Sequence, residues 1–176
     1  MKSKILVIPK YALKFDNGFT PVDSSYNLSY NTNLLYRDPT SDSKLFYRII
    51  PYLIVEYNGH YLVFKSNDRY SFNINGLVYI KDSILYQDPI RTIIQHNARK
   101  CGVDSVKDID CVGFIKSIRS NPDDIAIVYV AKAKENFEAP EDAKWMTMND
   151  LVNKCRKFDS FGIEYIDYLI SRRIKK

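Results

Sequence analysis

The sequence predicts an α/β domain in which a mixed, mostly antiparallel sheet is sandwiched between helices, and three observations predict it. Two strand pairs are written as apolar, β-rich runs around turn residues: Arg48 to Ser66 around Asn58-Gly59, and Asp110 to Ala133 around SNPDD. Between them, Pro89 to Cys101 repeats apolar residues at helical spacing, and the pattern returns after Thr147. Strands and helices alternating in this order must bury an apolar face of each against the other, which gives layers.

Taken in order, KILVIP (4 to 9) reads as a short buried strand, four apolar residues stopped by a proline. Residues 16 to 44 carry Asn, Ser, Asp and Tyr with two prolines, and read as irregular chain with one helix around Tyr26 to Tyr36. IIPYLIVEY and HYLVFKS then flank Asn58-Gly59, the dipeptide that best tolerates the positive φ angles of a type I′ turn. A loop is expected from Asn67 to Tyr70, followed by a strand SFNINGLVYI that runs through Gly76.

Asp88 is suited to cap a helix and Pro89 to occupy its first position; Ile90, Ile93, Ile94, Asn97, Ala98 and Cys101 share one face, and Gly102 closes it. The runs DCVGFIKSI and DIAIVYVAKA should pair as an antiparallel hairpin. Trp145 begins a short strand or loop into a helix whose candidate caps are Thr147, Asn149 and Asp150. The last helix shows Ile163, Ile166, Ile170 and Ile174 at near-helical spacing and ends in basic residues.

The 176 residues suit one domain, 1 to 176, with residues 1 to 45 expected as an N-terminal extension packed on the core. A hydrophobic fraction of 45% and charged fraction of 27% exclude global disorder, while 14 Tyr and 9 Phe make the chain aromatic-rich. Cys101, Cys111 and Cys155 are odd in number and form no CxxC pair, which argues against a disulfide framework or zinc site and for a reducing, cytoplasmic setting. MKSKILVIPKYAL is too briefly apolar for a signal peptide or a membrane span, so no membrane association is expected. The net charge of +5 is a modest bias toward anionic partners.

FYRIIPYLIVEYNGHYLVF resembles the opening strands of one group of Nudix proteins, GFIKSIRSNPDDIAIVYVAKA its later strand pair, and WMTMNDL its approach to the final helices. The likeness spans residues 45 to 172 and implies the Nudix fold. The family's catalytic box would place a glycine at Gly76 and an acid at Asp82, six residues on. Its helical half would fall on QHNARKCGV: Gly102 and Val103 fit, but Gln95 and His96 stand for Arg-Glu, Asn97 for an apolar residue, and Arg99 and Lys100 for paired glutamates. The loop between the halves is five residues longer than the motif. No Asp or Glu lies between Asp88 and Asp104, so every register of the box helix lacks the carboxylates that seat Mg²⁺.

The candidate site residues follow. Arg99 and Lys100 can clamp phosphate in place of a metal, against the plain reading of a solvated helix face. His96 is a proton-transfer or ligand-contact candidate, otherwise a surface residue, and Gly76 a candidate for phosphate contact. Asp82 and Glu56, with Asp104, Asp108 and Asp110, are the acids that would have to rebuild a metal site. Cys101 is expected to be buried packing. Tyr52, Tyr57, Tyr61, Tyr70, Tyr79 and Tyr86 could stack bases beside Lys65, Arg69 and Lys81, or simply pack a sheet. The tail Arg172, Arg173, Lys175 and Lys176 could meet phosphate or a partner, or fray.

The leading expectation is a catalytically degenerate Nudix-fold protein, without catalytic residues, metal or cofactor, that binds a nucleotide, a nucleic acid or a protein. The alternatives are an active hydrolase of nucleoside diphosphate-linked substrates using Asp82 and Glu56, and a structural subunit acting through a protein partner or as a homo-oligomer.

Overall fold

The computed structural model describes residues 4–12, 16–23, 35–38, 44–72, 89–103, 108–134 and 137–174. Its centre is β4 (Phe46–Tyr57), whose alternation serves two layers. Tyr47, Ile49, Leu53 and Val55 pack toward a helix α1 (Pro89–Lys100), where they meet Ile90, Ile94 and Ala98. Tyr52 and Ile54 pack toward α2 (Met148–Lys154) and α3 (Ser160–Ile174), where they meet Leu151, Phe161, Tyr165 and Ile166. A period of two along one strand thus places the sheet between helices.

β4 runs parallel to β8 (Asp124–Lys132) from Arg48 to Glu56, while the other pairings within the sheet are antiparallel. The path is β2 (Gly18–Pro21), β7 (Ile109–Lys116), β8, β4, β1 (Ile5–Pro9) and β3 (Leu35–Arg37). The fold class expected from the sequence is therefore the one observed. The strand 4 to 9 appears as β1 with Ile5 to Ile8 almost wholly buried, and β7 and β8 form the expected hairpin, with a bulge between Cys111 and Gly113.

The Asn58-Gly59 turn forms as its residues dictate, with φ of 47° and 76°. Only Glu56 with Tyr61 and Tyr57 with His60 are in register across it. Beyond that, β5 (His60–Ser66) leaves β4 and pairs with β9 (Ala143–Thr147) and β6 (Arg69–Ser71). Two twisted strands with different partners diverge, and the hairpin joins two parts of the sheet.

Three expectations are corrected. Residues 16 to 44 are not wholly irregular, because β2 and β3 lie within them, and the end of the helix expected at Tyr26 to Tyr36 is strand at Leu35 and Tyr36; the remainder of that helix falls largely outside the described residues. Isolated residues that look polar or aromatic gain strand conformation from a neighbour: Ile5 to Val7 supply one to β3, and Gly113 to Lys116 to β2. The loop expected from Asn67 to Tyr70 is a two-residue turn, Asn67 in the left-handed region at φ 53°, followed by β6. In α3 the buried stripe is Phe161, Gly162, Tyr165 and Ile166, whereas Ile174 is 80% exposed, since the helix runs past its support. The strand expected through Gly76 lies outside the described residues after Phe72.

Candidate functional site

α1 is the element on which the candidate residues depend. Ile90, Ile94, Ala98 and Cys101 are buried as the helical period requires. The helix stops in a Schellman arrangement: Gly102, at φ 76°, donates to the Arg99 carbonyl at 3.3 Å, and Val103 donates to the Ala98 carbonyl at 3.0 Å. Phe137 lies where a Cβ on Gly102 would be, 2.3 Å from its Cγ, and the Gly102 carbonyl accepts from the Lys134 amide at 3.2 Å. The end of α1 is thereby fixed to the segment following β8.

This fixes what α1 turns outward. Arg91, His96, Arg99 and Lys100 are exposed, with Thr92 and Gln95 half-buried. His96 lies three residues from Arg99 and four from Lys100, so the three crowd one surface of the last turns. Arg99 and Lys100 also complement the negative end of the helix dipole, which alone would favour cations there. Mg²⁺, the ion implied by the resemblance, requires hard oxygen donors. This face offers an amide, an imidazole, guanidinium groups and an ammonium, and among the described residues no three His, Cys, Asp or Glu side chains converge. The residues on this face do not fit the ion.

The remaining candidates are dispersed. Gly76, Asp82, Asp104, Tyr79, Tyr86 and Lys81 lie outside the described residues. Glu56 is on the opposite face of the sheet from α1, beside Tyr61 and Tyr165 of the layer under α3: burial first, and the Glu56 charge as a lesser cause, raises both hydroxyls. Asp110 lies in a recess with Tyr168 and Arg172, and Asp108 is exposed before β7. Cys101 is packed as expected, its thiol pushed up to about 11 by burial first and by Asp142 second, against Lys100. Tyr52 cannot stack a base, because it is buried and its hydroxyl donates to the Asp159 carboxylate, 3.0 Å from each oxygen. Burial, then the Asp159 charge, holds that hydroxyl well above its ordinary range.

Tyr70, Lys65 and Arg69, named together from the sequence, do come together. They line a recess of about 730 Å³ at the β5–β6 turn with Phe64, Asp68 and Asp142. Sequence reasoning missed Asp142, and also Lys144, whose Nζ is 5.0 Å from the Tyr70 ring centre and 3.5 Å from its hydroxyl. Both come from β9 and its approach, and no local pattern signals that this segment would lie beside β5. Sequence reasoning did place Asn97 on the inner stripe of α1. It is 4% exposed, and its Nδ2 has no acceptor among the described residues.

No protein-family model matches the chain, and no curated protein does either. Solved structures do match: the crystal structure of Tm1382, described as "a putative Nudix hydrolase", superposes with a TM-score of 0.67 at 17% identity, over 96% of this chain and 98% of that one. A likeness at that identity carries the architecture and not the activity. The layered sheet, the helix closed by Gly102 and this superposition together identify the chain as a protein of Nudix-like fold.

Proposed function

We propose that this protein is a Nudix-fold binding module that holds a nucleotide without hydrolysing its phosphoanhydride bonds. One observation carries the reading: from Pro89 to Val103 the chain has no acid at all, and α1 exposes His96, Arg99 and Lys100, which the resemblance sets against the positions where metal-assisted hydrolysis needs carboxylates. Two adjacent cations repel a divalent ion and attract phosphate oxygens, for which a guanidinium fork and an ammonium are both suited. Glu56, the described acid that an active-enzyme reading would recruit, lies in the layer under α3 and supports that reading poorly.

The test has two arms. Incubation with nucleoside triphosphates, dinucleoside polyphosphates and sugar nucleotides, with Mg²⁺ or Mn²⁺, is expected to release neither phosphate nor nucleoside monophosphate. Turnover that disappears in Asp82→Ala would overturn the proposal in favour of an enzyme. Calorimetry is expected to find nucleotide binding that weakens as salt rises and drops about tenfold or more in Arg99→Glu/Lys100→Glu. Salt-indifferent binding, or unchanged binding by that variant, would remove the clamp.

A further inference from the structure

The recess at the β5–β6 turn joins a buried aromatic wall to exposed charged residues. Its volume of about 730 Å³ falls within the roughly 300–1,000 Å³ of small-ligand sites. Its apolar lining is Phe64 and Tyr70, each 9% exposed. Register sets the polar part: Lys65 stands directly across from Tyr70, and Lys144 directly across from Val63, two residues along the same face of β5. Lys65 and Lys144 therefore stand on the face of the sheet that carries Tyr70, and the Lys144 ammonium lies over the Tyr70 ring and 3.5 Å from its hydroxyl. Among the described residues no carboxylate forms an ion pair with Lys65 or Lys144.

The frame around this corner is ordered. Asp159 donates its amide to the Tyr70 carbonyl at 2.9 Å, and its carboxylate accepts from Tyr52 and from the Gly162 amide at 2.7 Å. That carboxylate is committed to the fold. Asp68 and Asp142, both exposed, remain on the rim as acceptors. Carboxylates accept from sugar hydroxyls but repel phosphoryl oxygens, so the rim tolerates one phosphate at the lysine corner and disfavours a chain of them.

We infer that this recess binds a nucleoside monophosphate: its phosphate rests on Lys65, Lys144 and the Tyr70 hydroxyl, and its sugar hydroxyls face Asp68 and Asp142. The inference rests on the reading of the protein as a nucleotide binder and goes beyond it, to a site separate from the α1 face. It does not require Arg99 or Lys100 to touch the ligand.

Calorimetry with AMP, ATP and adenosine on the full chain tests it, with thermal melting as the check on folding. AMP is expected to bind more tightly than ATP or adenosine. Lys65→Glu/Lys144→Glu should weaken AMP about tenfold or more, and Tyr70→Phe, which removes only a hydroxyl, should weaken it less, without a large change in melting. AMP binding unchanged in both variants overturns the inference, as does a clear preference for ATP. If Arg99→Glu/Lys100→Glu abolishes binding while the recess variants keep it, the α1 clamp stands and the recess falls; the opposite pattern sustains the recess without the clamp. A wild-type chain that binds none of the three at millimolar concentration refutes both.

Discussion

Asn97 is the residue at which packing and polarity conflict. Every other fully inward position of α1 is apolar, and the carboxamide Nδ2 is buried with no acceptor among the described residues. An unsatisfied buried donor costs about 1–3 kcal/mol, more than a helix of this length gains from any one surface pair. Asn97→Leu, close in shape and free of the donor, is expected to raise stability by about 1 kcal/mol, read as a higher urea midpoint with an unchanged slope. A lower midpoint would mean that the amide is satisfied in solution. From the sequence this residue is legible as a member of the stripe, but its missing partner is a fact of the neighbourhood and not of the stripe.

At the scale of elements, the turns and caps were the parts most readable in advance, because each depends on a few adjacent residues. Thr147 was read as a candidate cap and is the N-cap of α2, in a reciprocal capping box with Asp150: the Thr147 hydroxyl accepts from the Asp150 amide at 3.2 Å, and the Thr147 amide donates to the Asp150 carboxylate at 3.0 Å. Hydrogen bonds from the Thr147 side chain and backbone, then from Lys154, lower the Asp150 carboxyl from 3.8 to about 2. A carboxyl depressed on folding adds stability above its unfolded value and loses it as pH falls through the folded value. The cap should therefore weaken between pH about 4 and 2, and Asp150→Asn should flatten that part of the stability profile measured by urea titration. Thr147→Ala should cost about 1 kcal/mol at neutral pH. An acid profile identical in Asp150→Asn and the parent would discount the box. By contrast β2, β3 and β6, three or four residues each, are not legible in the sequence, since strands so short carry too few alternations to stand above their surroundings.

For the whole molecule, the N-terminal residues matter more than their position in the sequence suggests. β1 pairs with β3 on one side and β4 on the other, and Ile5, Leu6, Val7 and Ile8 are 0–3% exposed. Lys10 adds an ion pair with Asp123 at 2.6 Å, part-exposed and worth little by itself. Exposing four such residues forfeits about 1.5–3 kcal/mol each, comparable with the entire stability of about 5–15 kcal/mol of an ordinary domain. A chain lacking residues 1 to 45 is accordingly expected not to fold, giving a flat near-ultraviolet dichroism spectrum and no melting transition. A truncated chain that melts cooperatively would show that the first strands are dispensable.

The candidate site divides in the same way. His96, Arg99 and Lys100 were legible because one helix carries them, and a helical period fixes which residues share a surface. The absence of carboxylates from residues 89 to 103 was also a property of the sequence alone, true in any register. Only the tertiary structure decided that β5 would leave β4 for β9, bringing Lys144 and Asp142 from about eighty residues away to Tyr70 and Lys65, and that Glu56 would face away from α1. Backbone geometry imposes its periods on neighbours along the chain, so elements and their inner faces can be read locally. Which strand edges meet depends on the free energy of the assembled core, and that depends on all the elements at once.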